Sequence, residues 1–342
     1  MPEVSLNILE HRSLKDCNTF GVEVAARWFA DAHDEDEVRA ALAAAAVRNA
    51  ELLVIGGGSN LLLTADLDAF VLRMASRGRR ILVDEGERVL VEAEAGEPWH
   101  PFVLWTLEQG LGGLENLSLI PGTVGAAPMQ NIGAYGVELQ DVLHSLVALD
   151  RQSGELREFG VEECAFAYRD SRFKRETGRW LILRVRFILS RAPLLHLDYG
   201  PLRQYLQQQG IGQPDALDVS RAICAIRREK LPDPQVLGNA GSFFKNPLVD
   251  AARAAGLRAQ WPGLVSYPAG EGQVKLAAGW LIEQAGWKGH RDGDAGVHDR
   301  QALVLVNHGR ASGGELLALA RRIQADIRTR FGVELEIEPL VR

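Results

Sequence analysis

The chain has 342 residues, 46% hydrophobic and 24% charged, enough apolar material for two or three lobes with cores of their own and no metal or disulfide staple. A formal net charge of -7 argues against nucleic acid as a partner, because a phosphate backbone demands a basic face. Three cysteines (Cys17, Cys164, Cys224), odd in number and far apart, argue against a disulfide framework, and no cysteine or histidine pair has metal-ligand spacing.

The opening Met-Pro-Glu-Val-Ser lacks a basic region followed by an apolar run, so no signal peptide is expected. Residues 40–47 form the longest apolar stretch and are too few to cross a membrane. A reducing cytoplasm is the expected compartment, with no membrane partner.

Residues 34–50 begin acidic and continue as an alanine-leucine stripe, which predicts a helix. Residues 52–55 read as a buried strand running into Gly56-Gly57-Gly58-Ser59-Asn60, and short strands are expected at 70–73, 80–84 and 89–95. A helix at 98–109 and a strand at 181–189 with alternating arginines follow. The Pro- and Gln-rich stretch 199–218 interrupts the pattern and is the candidate boundary. Beyond it come a helix at 275–285, a strand at 302–307, a helix at 312–330 and a closing strand at 333–340. Strands mixed with helices, without regular alternation, favour α+β over a doubly wound sheet.

The loop 56–60 fits no common phosphate-binding fingerprint. The dinucleotide motif needs glycine where Leu61 stands, a Walker loop needs a Gly-Lys-Ser/Thr ending, and a lipase elbow also needs glycine at Leu61. What remains is a turn of bare backbone amides able to approach a pyrophosphate. Three glycines alone favour a plain tight turn. A second segment, 120–136, changes that balance: it carries four glycines and two prolines through an apolar run with few charges. A long, ordered, apolar loop of this kind usually wraps a ligand, and two in one lobe suggest an extended dinucleotide.

These blocks, with Asn18-Thr-Phe-Gly21, Gly113-Leu-Glu-Asn116, Gln130-Asn-Ile-Gly-Ala-Tyr-Gly136, Tyr168-Arg-Asp-Ser171, Lys230-Leu-Pro-Asp-Pro234, Gly238-Asn-Ala-Gly-Ser-Phe-Phe-Lys-Asn-Pro247 and Lys275-Leu-Ala-Ala-Gly-Trp-Leu-Ile282, resemble the UDP-N-acetylenolpyruvoylglucosamine reductase family (UDP-N-acetylmuramate dehydrogenases) in order and over nearly the whole chain. The resemblance implies an α+β protein: an FAD-binding lobe of the vanillyl-alcohol-oxidase (PCMH) type, then a smaller α+β substrate-binding lobe. The implied domains are an FAD region at 1–190 (sub-lobes about 1–66 and 67–190), a type I insertion and linker at 191–229 carrying Tyr199, and a C-terminal domain at 230–342 with the closing strand. Noncovalent FAD would be held by Gly56, Gly57, Gly58, Ser59 and Asn60, and by Ile120, Pro121, Gly122, Thr123, Gly125, Asn131 and Gly133. NADPH would be the co-substrate and UDP-N-acetylglucosamine enolpyruvate the substrate, in peptidoglycan precursor synthesis. A monomer is expected.

The implied reaction adds hydride to an enol ether conjugated to a carboxylate, so donors must face the developing charge and an acid must protonate the second carbon. By resemblance Arg169 grips the carboxylate, Ser242 gives the proton and Glu338 lies beside the developing charge as a neutral acid. Read without the family, Arg169 would be a surface arginine and Ser242 a cap. Tyr168, Tyr199, Lys230, Asn246 and Gln301 are implied substrate contacts, and in the type I form the tyrosine at 199 closes over the diphosphate. The tail departs from the family pattern: Leu335-Glu-Ile-Glu-Pro-Leu340 has its proline after the second glutamate. Glu334, Glu336 and Glu338 share one strand face at period two, and gapless alignment to Phe331 selects Glu338. Rival readings are a flavin-dependent alcohol oxidase or dehydrogenase of the same fold, which would need a base rather than an acid, and a non-catalytic nucleotide-sugar-binding protein, which would need no flavin.

Overall fold

The computed structural model describes residues 6–270 and 272–342; the opening residues 1–5, where a signal peptide was not expected, lie outside them. The chain divides into two compact units. One holds the chain up to Arg12 with Ala26–Gly57 and Leu67–Glu229, and the other holds Ser13–Ala25, Gly58–Asp66 and Lys230–Arg342.

The first unit contains most of a four-stranded sheet in the order Leu9–Ser13, Ala25–Ala32, Leu67–Met74, Glu51–Ile55, in which the last three strands run parallel. The helix Glu35–Val47 joins two of them. Its first turn is acidic, the Asp34 carboxylate accepts from the Glu37 N–H at 2.9 Å, and its small residues Ala41 and Ala45 are buried. Phe70, Val71 and Leu72 are buried in succession, the pattern of a strand covered on both faces.

A five-stranded antiparallel sheet completes this unit, in the order Leu156–Gly160, Leu143–Asp150, Trp180–Ser190, Arg88–Glu94, Arg79–Asp84. Along Trp180–Ser190, Leu181, Leu183, Val185, Phe187 and Leu189 are buried while Arg184 and Arg186 alternate with them. Arg186 reaches the buried Glu92 and the exposed Glu158, each at 2.7 Å, and so compensates the Glu92 carboxylate that burial would otherwise penalise. The helix Trp99–Glu108 lays Trp99, Phe102 and Val103 into the core, with the Phe102 and Phe187 rings 5.1 Å apart.

The stretch 199–218, read from the sequence as an interruption, proves largely helical, with helices at Gly200–Gln208 and Ala216–Lys230. Pro201 sits in the first turn, where its fixed φ suits a helix and its missing N–H costs nothing. Leu202, Leu206, Val219, Ala222, Ile223 and Ile226 make a small core of their own, against which Tyr135 packs from elsewhere in the sequence.

The second unit contains a four-stranded sheet in the order Gly238–Ser242, Val304–Asn307, Ala295–Val297, Arg291–Asp292, and a three-stranded sheet of Leu248–Asp250, Gln273–Leu276 and Ser266–Pro268. The long helix Gly313–Phe331 opens on a Ser312–Glu315 capping box and buries Leu316, Leu319, Ile323 and Ile327.

Two expectations need correction here. The helix expected at 275–285 is shorter, Ala278–Gln284, because Gln273–Leu276 pairs as a strand first. The expected closing strand at 333–340 is instead Leu340–Val341, paired in parallel with Leu61–Leu62, with an isolated bridge between Ile337 and Phe244 upstream. Pro339 explains the break. It has no N–H to donate, and on either side of it the tail changes partners, from Phe243 and Lys245 to Asn60 and Leu62. No helix of the described residues is long and apolar enough to cross a membrane.

Candidate active site

In the first unit the two glycine-rich segments meet. A Cβ at Gly56 would stand 2.3 Å from the Thr123 Oγ1, and one at Gly57 would stand 3.3 Å from the Gly122 Cα. Gly125 is equally confined, since a Cβ there would come within 2.5 Å of the Ala95 Cβ. These glycines allow two backbones to approach more closely than any side chain would permit. The loop is held open from behind: Trp99 N–H donates to the Gly122 carbonyl, Val124 N–H to Glu97, and Gly125 N–H to Ala95, at 2.9–3.0 Å. None of the amides of Gly56, Gly57, Gly122 and Thr123 donates to another described residue. A concentration of undonated amides on glycine turns suits a phosphate or pyrophosphate. These residues therefore fit the diphosphate of a dinucleotide such as FAD.

The rest of the loop is fixed by its own polar groups. Asn131 is buried in the left-handed region at φ 45°; its Nδ2 donates to Glu138 at 2.7 Å and its Oδ1 accepts from Gln140 N–H at 3.0 Å. Ile120 and Gly133 are half-buried, and Pro121 is exposed. Asn131 thus shapes the loop through Glu138 and Gln140. Ser59 and Asn60, along with Gly58, belong to the second unit, where a Cβ at Gly58 would meet the Cys17 carbonyl at 1.9 Å and the Asn60 carbonyl accepts from the Leu340 N–H.

The Tyr168–Ser171 turn packs on the same loop, because the Ser171 hydroxyl donates to the Met129 carbonyl at 2.7 Å while capping the short helix Arg172–Arg175. Arg169 occupies the left-handed region at φ 54°, unusual for a branched-free but bulky side chain, and its carbonyl is held by the Lys174 ammonium at 3.0 Å. Arg169 and Tyr168 are half-buried. Arg227, which the sequence reading did not single out, lies electrostatically close to both Arg169 and Tyr135. Its Nε is buried without a hydrogen-bond partner among the described residues, and burial lowers its pKa ahead of the opposing pull of Tyr135. Burial likewise raises the pKa of Tyr135, ahead of the opposing Arg227 charge. The Tyr135 ring meets Tyr199 edge to face at 5.0 Å, and Tyr199 remains 45% exposed at the head of its helix. The first unit thus gathers Tyr168, Arg169, Tyr135, Tyr199 and Arg227 on segments that converge on one loop system. The only sequence hint for Arg227 was its place on a helix just before Lys230.

In the second unit, Ser242 ends the strand Gly238–Ser242 opposite Val304, after a bulge. The bulge has a visible cause: the Asn239 side chain accepts from Gly241 N–H at 2.9 Å and donates to the Pro232 and Leu237 carbonyls. Asn239 N–H donates to the Thr19 carbonyl and a Cβ at Gly238 would strike the Phe20 carbonyl at 2.3 Å, so the Asn18–Gly21 motif is the backing of this strand. Ser242 is half-buried.

Directly after it, Phe243, Phe244 and Lys245 pair with the tail. Glu338 N–H donates to the Phe243 carbonyl and Lys245 N–H to the Glu336 carbonyl, both at 2.9 Å. Lys245 also pairs with the Glu336 carboxylate at 2.5 Å, and Glu334 with Arg328 at 3.1 Å. Glu334 and Glu336 are exposed whereas Glu338 is half-buried. Asn246 and Gln301 both lie at the start of one helix: the Asn246 Oδ1 accepts from Ala278 N–H at 2.9 Å, and the Gln301 Oε1 lies 3.4 Å from where a Gly279 Cβ would be. Lys230, exposed at the end of Ala216–Lys230, shows no fixed partner in either unit among the described residues.

Two family models match the chain. One, described as an FAD binding domain, covers residues 26–160, and the other, the C-terminal domain of UDP-N-acetylenolpyruvoylglucosamine reductase, covers 233–341. Curated relatives of that name include one from Pseudomonas fluorescens, 71% identical over 98% of this chain and 99% of its own, and one from Pseudomonas aeruginosa, 68% identical with the same coverage. Among solved structures, the reductase of Thermus caldophilus is 26% identical with a TM-score of 0.66 over 98% of both chains. p-Cresol methylhydroxylase with bound substrate is 10% identical with a TM-score of 0.50 over 96% of this chain and 84% of its own, a likeness of fold alone. With relatives this similar along nearly its whole length, the chain belongs to the UDP-N-acetylenolpyruvoylglucosamine reductase family.

Proposed function

We propose that this protein reduces UDP-N-acetylglucosamine enolpyruvate to UDP-N-acetylmuramate, with NADPH as the source of reducing equivalents and FAD as the carrier. The observation that carries the reading is the meeting of the two glycine loops around undonated amides, in a chain 71% identical to a reductase of that name. FAD bound there supplies a hydride from its N5 position.

The remaining work falls to side chains. Arg169 holds the carboxylate of the enolpyruvyl group, a task that suits a guanidinium because it stays charged and presents paired donors. Its turn is pinned to the cofactor loop by Ser171, which limits its freedom before substrate arrives. Tyr199 grips the diphosphate and Tyr168 adds a second contact. Lys230, Asn246 and Gln301 hold the nucleotide sugar in the second unit. Ser242 donates the proton to the second carbon: a hydroxyl is a weak acid, but a carbanion is a strong enough base to accept from it. Glu338 in its neutral form lies beside the developing charge, where a carboxylate would repel it. The half-burial of Glu338, against the exposed Glu334 and Glu336, supports this choice among the three.

The test is direct. The purified protein should show the absorption bands of oxidised flavin, and NADPH oxidation should require the enolpyruvyl nucleotide sugar. Because no separate NADPH fingerprint exists in the sequence, NADPH should use the sugar's pocket in alternation, giving parallel double-reciprocal lines and inhibition by excess sugar. A colourless protein, or NADPH oxidation indifferent to the sugar, would refute the proposal.

A further inference from the structure

We propose that Asn116 is a positioning residue for substrate binding: its side-chain amide clamps the two segments that carry Tyr135 and Tyr199, and so sets the edge-to-face pair that faces the nucleotide sugar. The inference rests on the reading of Tyr199 given above.

Asn116 lies in the Gly113–Asn116 block and is fully buried. Its Nδ2 donates twice, to the main-chain carbonyls of Tyr135 and His196, each at 2.9 Å. Those partners are 19 and 80 residues away in sequence, so this is no local turn. Both are carbonyl acceptors, which fixes the amide with its nitrogen toward them. Its Oδ1 is buried and has no partner among the described residues. An amide that leaves one of its two ends unsatisfied is a poor choice for filling a core, and an apolar residue would avoid that loss. What distinguishes it is the pair of donors.

The two clamped segments lead straight to the aromatic pair. Tyr135 follows Ala134 in a hairpin between Gly133–Ala134 and Val137–Glu138 and sits at φ 52°. His196 stands three residues before Tyr199, on a stretch whose Leu195 and Leu197 pack on the small helical core. Tyr135 packs on the same core and its ring meets Tyr199 at 5.0 Å and 82°. The main chain of 133–136 and that of 195–199 thus share one donor, the Asn116 amide, which ties their spacing together. Glu115 next to it is tied to the same turn, its carboxylate accepting from Gly113 N–H at 2.6 Å. Tyr199, 45% exposed, cannot be held by burial alone, and an unclamped segment would have to be ordered at the expense of binding.

The test uses the intact flavoprotein. Asn116→Leu keeps the branched shape and the number of heavy atoms and removes both donors; Asn116→Ser keeps one donor and serves as the milder variant. Each should retain flavin content, and the limiting rate of flavin reduction at saturating NADPH should stay within about twofold of wild type, since the pair is far from hydride transfer in role. KM for the enolpyruvyl nucleotide sugar should rise about tenfold in Asn116→Leu, less in Asn116→Ser, with kcat little changed. In a Tyr199→Ala background, Asn116→Leu should add at most about twofold, because residues acting through one another are not additive. Full additivity would overturn the clamp, as would loss of flavin or fold in both Asn116 variants, which would mark the residue as structural. If KM rises in Tyr199→Ala but in neither Asn116 variant, the clamp alone is wrong. If Tyr199→Ala leaves KM unchanged, the assignment of Tyr199 fails first and the clamp loses its object.

Discussion

The main-chain N–H of Glu338 donates to the carbonyl of Phe243 at 2.9 Å, so the tail glutamate is seated beside the residue that follows Ser242. The other two glutamates of the same run are exposed, Glu336 pairing with Lys245 at 2.5 Å and Glu334 with Arg328 at 3.1 Å. Glu338→Gln should therefore lose most of the sugar-dependent turnover, while Glu334→Gln and Glu336→Gln stay near wild type. Steady-state rates of the three variants decide this; a sensitive Glu336 would mean that the tail's register, not its sequence alignment, had been misjudged.

Ser242→Ala should divide the reaction. Flavin bleaching by NADPH in stopped flow should be close to normal, because no proton from that position is needed. Reoxidation by the enolpyruvyl sugar should slow by about 10²–10⁴-fold, the usual loss when general-acid catalysis is removed. Cysteine at 242 should restore part of the rate. Equal slowing of both halves would show a structural serine, and slowing of neither would place the acid elsewhere, with water near Glu338 the next candidate.

Tyr199→Phe removes the hydroxyl while keeping the ring that meets Tyr135 at 5.0 Å. KM for the sugar should rise more than kcat falls, because binding common to ground state and transition state is lost. A large fall in kcat at saturating sugar would show that the hydroxyl takes part in chemistry.

Gly125→Ala should empty the flavin site. The new Cβ would stand 2.5 Å from the Ala95 Cβ and 2.9 Å from its Cα, so one backbone segment must move. The expected result is a protein with reduced flavin absorbance after gel filtration. Gly212→Ala, where a Cβ meets nothing within 4 Å, is the control and should keep full flavin content.

His100 gives a pH prediction. Burial, then the charges of Arg228 and Arg227, lower its pKa below the ordinary imidazole value, and its Nδ1 accepts from the Leu119 N–H at 3.0 Å, which a proton there would destroy. The folded state thus binds this proton later than the unfolded state does. Its contribution to stability should be neutral above about pH 6.5 and turn unfavourable as pH falls through that value. Thermal melts of wild type should decline more steeply between roughly pH 7 and 5.5 than those of His100→Gln. Parallel curves would mean that His100 titrates normally.

The α+β class, the glycine loops and several of the elements were legible in the sequence because periodicity, caps and glycine runs act locally. The helix Glu35–Val47 and the alternating strand Trp180–Ser190 followed from patterns of 3.6 and 2 residues, and the family blocks carried Ser242, Arg169 and the loops 56–60 and 120–136. Long-range choices were not legible. The stretch 199–218 looked like a break because its scattered apolar residues, Leu202 and Leu206 among them, have nothing to bury against until Ile223, Ile226 and Tyr135 arrive. The tail's strand ended early because Pro339 cannot donate and its neighbours had to find other partners. Period two put three glutamates on one face, and only the folded second unit distinguishes the half-buried Glu338 from the exposed Glu334 and Glu336. Arg227 and Asn116 were invisible as partners of Tyr135 for the same reason. A side chain's chemistry is written at its own position, but the atoms that restrain it are set by which distant segments the cores bring to it.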